Sequence, residues 1–262
     1  MRLGGSVIRF DCHAHVYERL LPVSGARYVP SATAPLADWL SRQRAAGLSG
    51  GVIVQVSFLG TDNSQLVDAL AGLDRRLFSG IAVTALDVDE SALQALAAAG
   101  VTGLRWNLVQ GADLPDPSDP VVQRLAAMLR ALGMHLEIQL ESPKLAGYLP
   151  ALGQLAVPVV IDHLGLPRAT AEREPWIDAL ESLPSRERVF VKISAPYRAE
   201  RDPRAHIDRL LTLLPGDRFV WGSDWPHTRH ESRAEYRGLL AEAADRIDDA
   251  AAARTLYGLA VA

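Results

Sequence analysis

The chain has 262 residues, of which 48% are hydrophobic and 22% charged, and its formal net charge is −4. This composition is typical of a soluble globular protein with a substantial core, and the weakly acidic balance gives no reason to expect a nucleic-acid partner. The single cysteine, Cys12, excludes an intramolecular disulfide, and no segment approaches the roughly 20 apolar residues of a membrane span. We therefore expect one soluble, cytoplasmic domain over residues 1–262.

Short β-branched segments alternate with Ala- and Leu-rich amphipathic segments, which indicates βα units around a parallel sheet. Strands are predicted at residues 7–12, 51–56, 78–84, 103–107, 134–140, 157–162, 188–193 and 218–222. Helices are predicted at residues 36–46, 63–73, 91–99, 120–132, 144–152, 175–183, 203–214, 232–244 and 249–257. Eight such units in a chain of this length favour a closed (β/α)₈ barrel over an open sheet.

Two predicted loops, residues 16–35 and 109–119, are long for barrel connections. Each follows a strand, so each should lie at the C-terminal face of the barrel, where barrel enzymes keep their active sites. We expect both loops to form part of a pocket for a small molecule.

The first strand is followed by His13 and His15. Alternation along a strand should turn both imidazoles, and Asp11 with them, to one face. Paired imidazoles commonly hold a divalent metal or polarise a substrate oxygen. Two unrelated histidines near a surface loop are the alternative interpretation, which the barrel context disfavours.

His163 ends the sixth predicted strand, and Asp224 follows the eighth. At the mouth of a barrel, a carboxylate beside imidazoles can act as a general base toward water or as a metal ligand. A capping role is the alternative for each, and His227 fits either interpretation. Asp162 should face outward by its position next to His163 and have a structural role.

Arg105 and Arg198 are candidate anion-binding residues. A guanidinium among apolar neighbours needs a partner, and a substrate carboxylate matches its paired donors, although a structural ion pair would also suit. Ser57 and Tyr197 could each donate a hydrogen bond to a substrate. Lys192, within an apolar strand, should be buried and paired.

Six segments together resemble the amidohydrolase superfamily, and specifically its amidohydrolase-2 branch, which contains pyrone-dicarboxylate and sugar-acid lactonases. They occur in family order and are residues 11–15 (DCHAH), 55–63 (QVSFLGTDN), 103–108 (GLRWNL), 161–165 (IDHLG), 192–198 (KISAPYR) and 222–227 (GSDWPH). Each segment alone would be weak, but together they cover nearly the whole chain. The resemblance implies a distorted (β/α)₈ barrel that hydrolyses a cyclic ester.

By the same resemblance, the catalytic centre contains His13, His15, His163 and Asp224, and the substrate contacts are Ser57, Arg105 and Arg198. Two departures argue against a dicarboxylated pyrone as the substrate. No second arginine follows Arg105 in residues 106–111, and Gln139 stands on the fifth strand where an aromatic contact is expected. A lactone with one carboxylate or several hydroxyls is at least as well matched.

Many members of the superfamily bind zinc or another divalent ion, which implies one mononuclear site formed by His13, His15, His163 and Asp224. Metal-free catalysis is the alternative, because the pyrone lactonase it resembles is described as working without a metal. Two other functions stay open. One is a metal-dependent decarboxylase acting on an aromatic acid, and the other is a barrel that binds a small acid without catalysis.

Overall fold

The computed structural model describes residues 8–199 and 203–260. Within them, eight parallel strands pair in sequence order, each with the next along the chain, which confirms the predicted (β/α)₈ barrel. The strands are β1 (Phe10–Ala14), β2 (Gly50–Val54), β3 (Phe78–Ala82), β4 (Val101–Asn107), β5 (His135–Gln139), β6 (Val159–Ile161), β7 (Val189–Ser194) and β8 (Phe219–Gly222).

Each predicted helix is present, with ends displaced by a few residues at most. The helices are α1 (Leu36–Ala46), α2 (Ser64–Ala71), α3 (Glu90–Ala98), α4 (Pro120–Ala131), α5 (Ser142–Leu152), α6 (Pro175–Glu181), α7 (Pro203–Leu213), α8 (Tyr236–Ala244) and α9 (Ala250–Tyr257). No helix among the described residues is both long and apolar enough to cross a membrane.

The barrel closes between β1 and the segment that follows β8. The His15 N–H donates to the carbonyl of Trp225, and the Asp224 N–H donates to the carbonyl of His13, both at 2.8 Å. The Asp11 carboxylate accepts a hydrogen bond from the Ser223 N–H at 2.8 Å. In a regular pair of parallel strands, a backbone carbonyl would accept that bond. The closure is therefore irregular, and it joins the two segments that carry the predicted histidines and aspartate.

Two apolar clusters lie on either side of the strands. The larger one packs the helices against the outside of the barrel. The smaller one fills the barrel interior and contains Phe10, Cys12, Val52, Val54, Ile81, Val160, Phe190, Val220 and the buried face of α9. Burying apolar surface on both faces of each strand explains why these strands are nearly continuous apolar runs.

Helix α9 lies against the N-terminal ends of the strands and closes that end of the barrel. At the start of the helix, Asp249 accepts hydrogen bonds from the backbone N–H groups of Arg9 and Phe10, at 2.9 and 3.1 Å. At its other end, the Tyr257 hydroxyl donates to Glu137 inside the barrel, at 2.9 Å. The helix thus connects the beginning of β1 to the buried interior.

Strand β1 corrects two details of the sequence analysis. The strand continues to Ala14 instead of ending at residue 12, and residue 7 lies outside the described part of the chain. The pairing register shifts between Asp11 and Ala14, as in a β-bulge. The bulge breaks the alternation, so Asp11 faces outward and accepts from the Trp39 indole and the Tyr236 hydroxyl, each at 2.8 Å, while His13 faces the interior.

Candidate active site

A pocket of about 570 Å³, including its open mouth, lies at the C-terminal ends of the strands. Its lining includes six of the residues predicted from the sequence: His15, Ser57, Arg105, His163, Arg198 and Asp224. The two long loops contribute Arg27, Tyr28, Val109 and Gln110, as expected. His13 and Tyr197 reach the same centre through Asp224, so the structure brings all eight predicted site residues together.

The Asp224 carboxylate is at the centre of the site and is almost fully buried. Its Oδ2 accepts three hydrogen bonds, from the Tyr197 hydroxyl at 2.7 Å and from Arg198 Nε and Nη2 at 3.0 and 2.8 Å. Burial raises the pKa of the Asp224 carboxyl, but the positive charge of Arg198 and the polar groups around the carboxylate together outweigh it and hold the pKa well below its usual range. Asp224 is therefore ionised at neutral pH.

Three imidazoles surround the other oxygen of Asp224. Oδ1 lies 3.5 Å from Nε2 of His15, 3.7 Å from Nε2 of His13 and 3.9 Å from Nε2 of His163. These separations exceed ordinary hydrogen-bond lengths, so Oδ1 is not committed to any of the three rings. One carboxylate oxygen is thus held firmly, and the other faces a ring of imidazole nitrogens.

The opposite ring nitrogens fix the orientation of the imidazoles. His15 Nδ1 lies 2.8 Å from the Val54 carbonyl, which only accepts, so Nδ1 carries the proton. His13 Nδ1 lies 3.0 Å from the Lys192 ammonium, which only donates, so the proton of neutral His13 is on Nε2. His163 Nδ1 is 2.8 Å from the Ser194 hydroxyl, which can donate or accept.

Burial keeps two of these rings neutral. Desolvation, reinforced by the charge of Lys192, lowers the pKa of His13 to about 4. Desolvation also lowers the pKa of His163 well below its usual value, even though Asp224 opposes the shift. At neutral pH, the centre therefore combines an ionised carboxylate with two neutral imidazoles, those of His13 and His163.

A layer of buried charges lies directly beneath the pocket. Lys192 Nζ is 2.7 Å from Glu137 Oε1 and 3.2 Å from Asp162 Oδ1, and Asp162 Oδ2 accepts from Arg105 Nε at 2.7 Å. The predicted burial and pairing of Lys192 are confirmed. Burial raises the pKa of the Glu137 and Asp162 carboxyls, but the charge of Lys192 and the other groups around each carboxylate together outweigh it, so both pKa values lie below their usual range.

The prediction that Asp162 faces outward is wrong. Alternation from Val160, which lies in the interior cluster, also turns Asp162 inward. His163 faces the site as well because the backbone turns left-handed there, with φ of 52° at His163 and 56° at Leu164. Because residues 159–161 are all apolar, the sequence before Asp162 carries no local signal of which face the side chain takes.

Arg105 is buried and held by two partners, Asp162 and the Gln139 side chain, which accepts from its Nη2. Gln139 therefore fixes a guanidinium instead of supplying an aromatic surface. Five N–H donors are available on an arginine, so Arg105 retains donors for a ligand. His227 is buried behind Tyr197, with Nδ1 3.3 Å from its hydroxyl, and does not line the pocket.

Sequence reasoning missed several pocket residues, among them Arg27, Tyr28, Asn107, Thr228 and Arg229. Asn107 is the last residue of β4, and that position at a strand end is the signal that could have identified it. Arg27 and Tyr28 belong to the loop that was expected at the pocket, but no pattern in that loop separates pocket residues from solvent-exposed ones.

The donor atoms fit a metal ion in composition. The ligand atoms of His13, His15 and Asp224 all lie within 4.8 Å of one another, and a second such group contains His13, Asp162 and His163. Nε2 of His13 is buried without a hydrogen-bond partner among the described residues. Imidazole and carboxylate together suit a divalent ion such as zinc. Because Nε2 of His13 carries a proton, binding an ion there would release it.

Known proteins resemble this chain over most of its length. A 2-pyrone-4,6-dicarboxylate hydrolase from Comamonas testosteroni is 28% identical over 250 residues, which cover 88% of this chain and 81% of that protein. A 4-sulfomuconolactone hydrolase from Rhizobium radiobacter is 28% identical over 232 residues, with coverages of 84% and 76%.

Solved structures agree with these relatives. A structure from Pseudomonas putida, described as a candidate 2-pyrone-4,6-dicarboxylic acid hydrolase, has a TM-score of 0.85 at 32% identity and covers 98% of this chain and 99% of its own. A 2,6-dihydroxybenzoate decarboxylase shares only the fold, with a TM-score of 0.62 at 15% identity. The amidohydrolase family model matches residues 10–260, and the chain therefore belongs to the amidohydrolase family.

Proposed function

We propose that this protein hydrolyses the ester bond of a small lactone that carries an anionic group. The observation that supports it most directly is the asymmetric environment of Asp224. Oδ2 is held by Tyr197 and Arg198, whereas Oδ1 faces the pocket among three imidazoles. The relatives named for the hydrolysis of a pyrone dicarboxylate and of a sulfomuconolactone support the same class of substrate.

Asp224 is the proposed general base. Oδ1 takes a proton from water as the oxygen of that water bonds to the ring carbonyl carbon. The ring C–O bond then breaks, and the departing alkoxide takes the proton back from Asp224, which leaves an open-chain hydroxy acid. Ionisation of Asp224 at neutral pH provides the required starting state.

His13 is the proposed donor to the developing oxyanion, because its Nε2 carries a proton and points into the centre. A pre-oriented donor of this kind is typically worth about 3–4 kcal/mol in the transition state. The buried Lys192 keeps the ring in that tautomer. His15 and His163 complete the polar wall around the reacting carbonyl.

Arg105, Arg198 and Ser57 are the proposed contacts to the anionic group of the substrate, and Tyr197 positions Asp224. Arg105 is rigid before substrate arrives, since Asp162 and Gln139 already hold it. Pre-organisation lowers the entropic cost of binding. A solvent-facing arginine would have to be immobilised first.

A divalent ion, with zinc as the first expectation, would be held by His13, His15 and Asp224, with His163 beside them. When bound, it would polarise the carbonyl and lower the pKa of a bound water toward about 7. The roles of Arg105, Arg198 and Ser57 toward the substrate are the same with or without the ion.

The test is proton release, followed with a pH indicator, as the purified protein meets a panel of pyrone-carboxylate, muconic and sugar-acid lactones. We expect turnover of one class and its loss in Asp224→Asn, with an unchanged circular dichroism spectrum. Asp217→Asn is the matched control, because this exposed aspartate lies just before β8 at the opposite end of the barrel. Full turnover in Asp224→Asn would reject the proposed base. Carbon dioxide release without lactone turnover would reject the function.

A further inference from the structure

Four arginines line the pocket, and they fall into two pairs. The inner pair is compensated, since Arg105 bonds Asp162 and Arg198 bonds Asp224. The outer pair, Arg27 and Arg229, is exposed at the mouth. The two pairs therefore offer different electrostatic environments to a ligand.

Neither outer guanidinium has a carboxylate within ion-pair distance among the residues that the structure describes. Arg27 Nη1 donates to the Val109 carbonyl at 2.6 Å, which fixes the side chain without neutralising it. The Arg229 guanidinium lies over the Tyr28 ring, 5.4 Å from its centroid. The nearby Glu231 carboxylate accepts from the Arg229 backbone N–H and not from its guanidinium.

The buried charges do not offset this excess. Beneath the pocket, Lys192 and Arg105 are balanced by Glu137 and Asp162, and Arg198 is balanced by Asp224. Asp224 is the only carboxylate among the described residues that line the pocket. The mouth thus carries two guanidinium groups that form no ion pair with a carboxylate of the described chain, and such positive charges attract anions.

We propose that Arg27 and Arg229 form a second anion subsite at the pocket mouth, which selects ring substrates with a second carboxylate or sulfonate directed away from Asp224. This inference rests on the proposed function for its substrate class. Because no second arginine follows Arg105, the second anionic group of the substrate would be recognised by the loops after β1 and β8 instead. A carboxylate presents two coplanar oxygens and a sulfonate presents three in a pyramid, and either group can accept two N–H bonds from one guanidinium.

An adjoining space at the mouth offers a matched control. It is lined by Arg233, which is also exposed and close in sequence to Arg229 but does not line the catalytic pocket. If any positive charge at this face attracted dianions, Arg233 would contribute as much to dianion binding as Arg229. The proposed subsite predicts that Arg233 contributes less than Arg229.

Equilibrium binding tests the subsite without requiring turnover. Isothermal titration calorimetry would compare benzoate, benzene-1,3-dicarboxylate and 3-sulfobenzoate on the unmodified protein and on Arg27→Met, Arg229→Met and Arg233→Met. We expect Arg27→Met and Arg229→Met each to weaken dianion binding by about tenfold, with little change for benzoate, because each removes one charge-assisted contact. Arg233→Met should retain the preference, and the two dianions show whether carboxylate or sulfonate is favoured.

Equal weakening of benzoate and the dianions, an unchanged preference in both variants, or an equal loss in Arg233→Met would each overturn the subsite. The proposed function fails differently. If no lactone is hydrolysed but the dianion preference depends on Arg27 and Arg229, the subsite stands and lactone hydrolysis is rejected.

Discussion

Replacing Lys192 with methionine should strongly destabilise the fold, because the change leaves buried Glu137 without its cation and removes one of the two cations that hold Asp162. With an effective dielectric constant of 20, an ammonium at 2.7 Å from Glu137 and 3.2 Å from Asp162 gains about 6 and 5 kcal/mol. The desolvation of Lys192, which the variant avoids, offsets several kcal/mol of this attraction. We therefore expect a net loss of about 5 kcal/mol, a large part of the stability of an ordinary domain.

Urea unfolding followed by tryptophan fluorescence measures this loss. Lys144→Met is the matched control, since Lys144 is exposed and is the only other lysine in the chain. Lys192→Met with Glu137→Gln should recover part of the lost free energy, because the second change removes the charge that Lys192→Met leaves uncompensated, whereas Asp162 keeps Arg105.

The loss should also depend on pH. Glu137 and Asp162 have folded-state pKa values below their usual range. They contribute stability above their unfolded pKa of about 4, and that contribution disappears as pH falls through the folded values. Lys192→Met removes it at neutral pH, so the difference from the unmodified protein should shrink on acidification. A loss below about 1 kcal/mol, or one that does not shrink as pH falls below about 4, would refute the assigned ion network.

Three further changes test other parts of the structure. Burial raises the pKa of Asp249 to about 6, so the contribution of this carboxyl to stability is complete at low pH and falls as pH rises through that value. Asp249→Asn removes this pH dependence. Between pH 4 and pH 7, urea unfolding should therefore show the unmodified protein losing about 3 kcal/mol of unfolding free energy relative to Asp249→Asn. A Cβ at Gly222 would lie 2.4 Å from the His13 Cβ, so Gly222→Ala should cost about 1–3 kcal/mol in unfolding free energy and also reduce turnover. Tyr197→Phe removes a hydrogen bond to ionised Asp224, so the acid limb of the kcat/KM profile should move to higher pH while thermal stability stays nearly constant.

The strand and helix pattern predicted the fold well, because parallel strands buried on both faces are marked by continuous β-branched runs. The site was predicted where a side chain follows a strand end, as for His163 and Asp224. Alternation failed at Asp11, because the register shift between Asp11 and Ala14 depends on how β1 meets β2 and leaves no local signal. Arg27 and Arg229 were missed for another reason, because only tertiary contacts bring these loop residues to the pocket mouth.

The ion-pair partners of the buried arginines could not be predicted from the sequence either. Arg105 and Arg198 were recognised as cations in need of partners, but candidate acids lie far along the chain. The pairing of Arg105 with Asp162 connects β4 to the end of β6, and only the closed barrel brings them to 2.7 Å.

The contact between Asp249 and the start of β1 has a consequence for synthesis of the chain. The first strand emerges from the ribosome more than 230 residues before its partner in α9, since Asp249 bonds Arg9 and Phe10 across 240 and 239 positions. The neighbour that closes the barrel beside His13 follows β8 and is also translated late. A nascent chain can therefore pair its middle strands early, but it cannot assemble the histidine and aspartate centre until the segment after β8 has been translated.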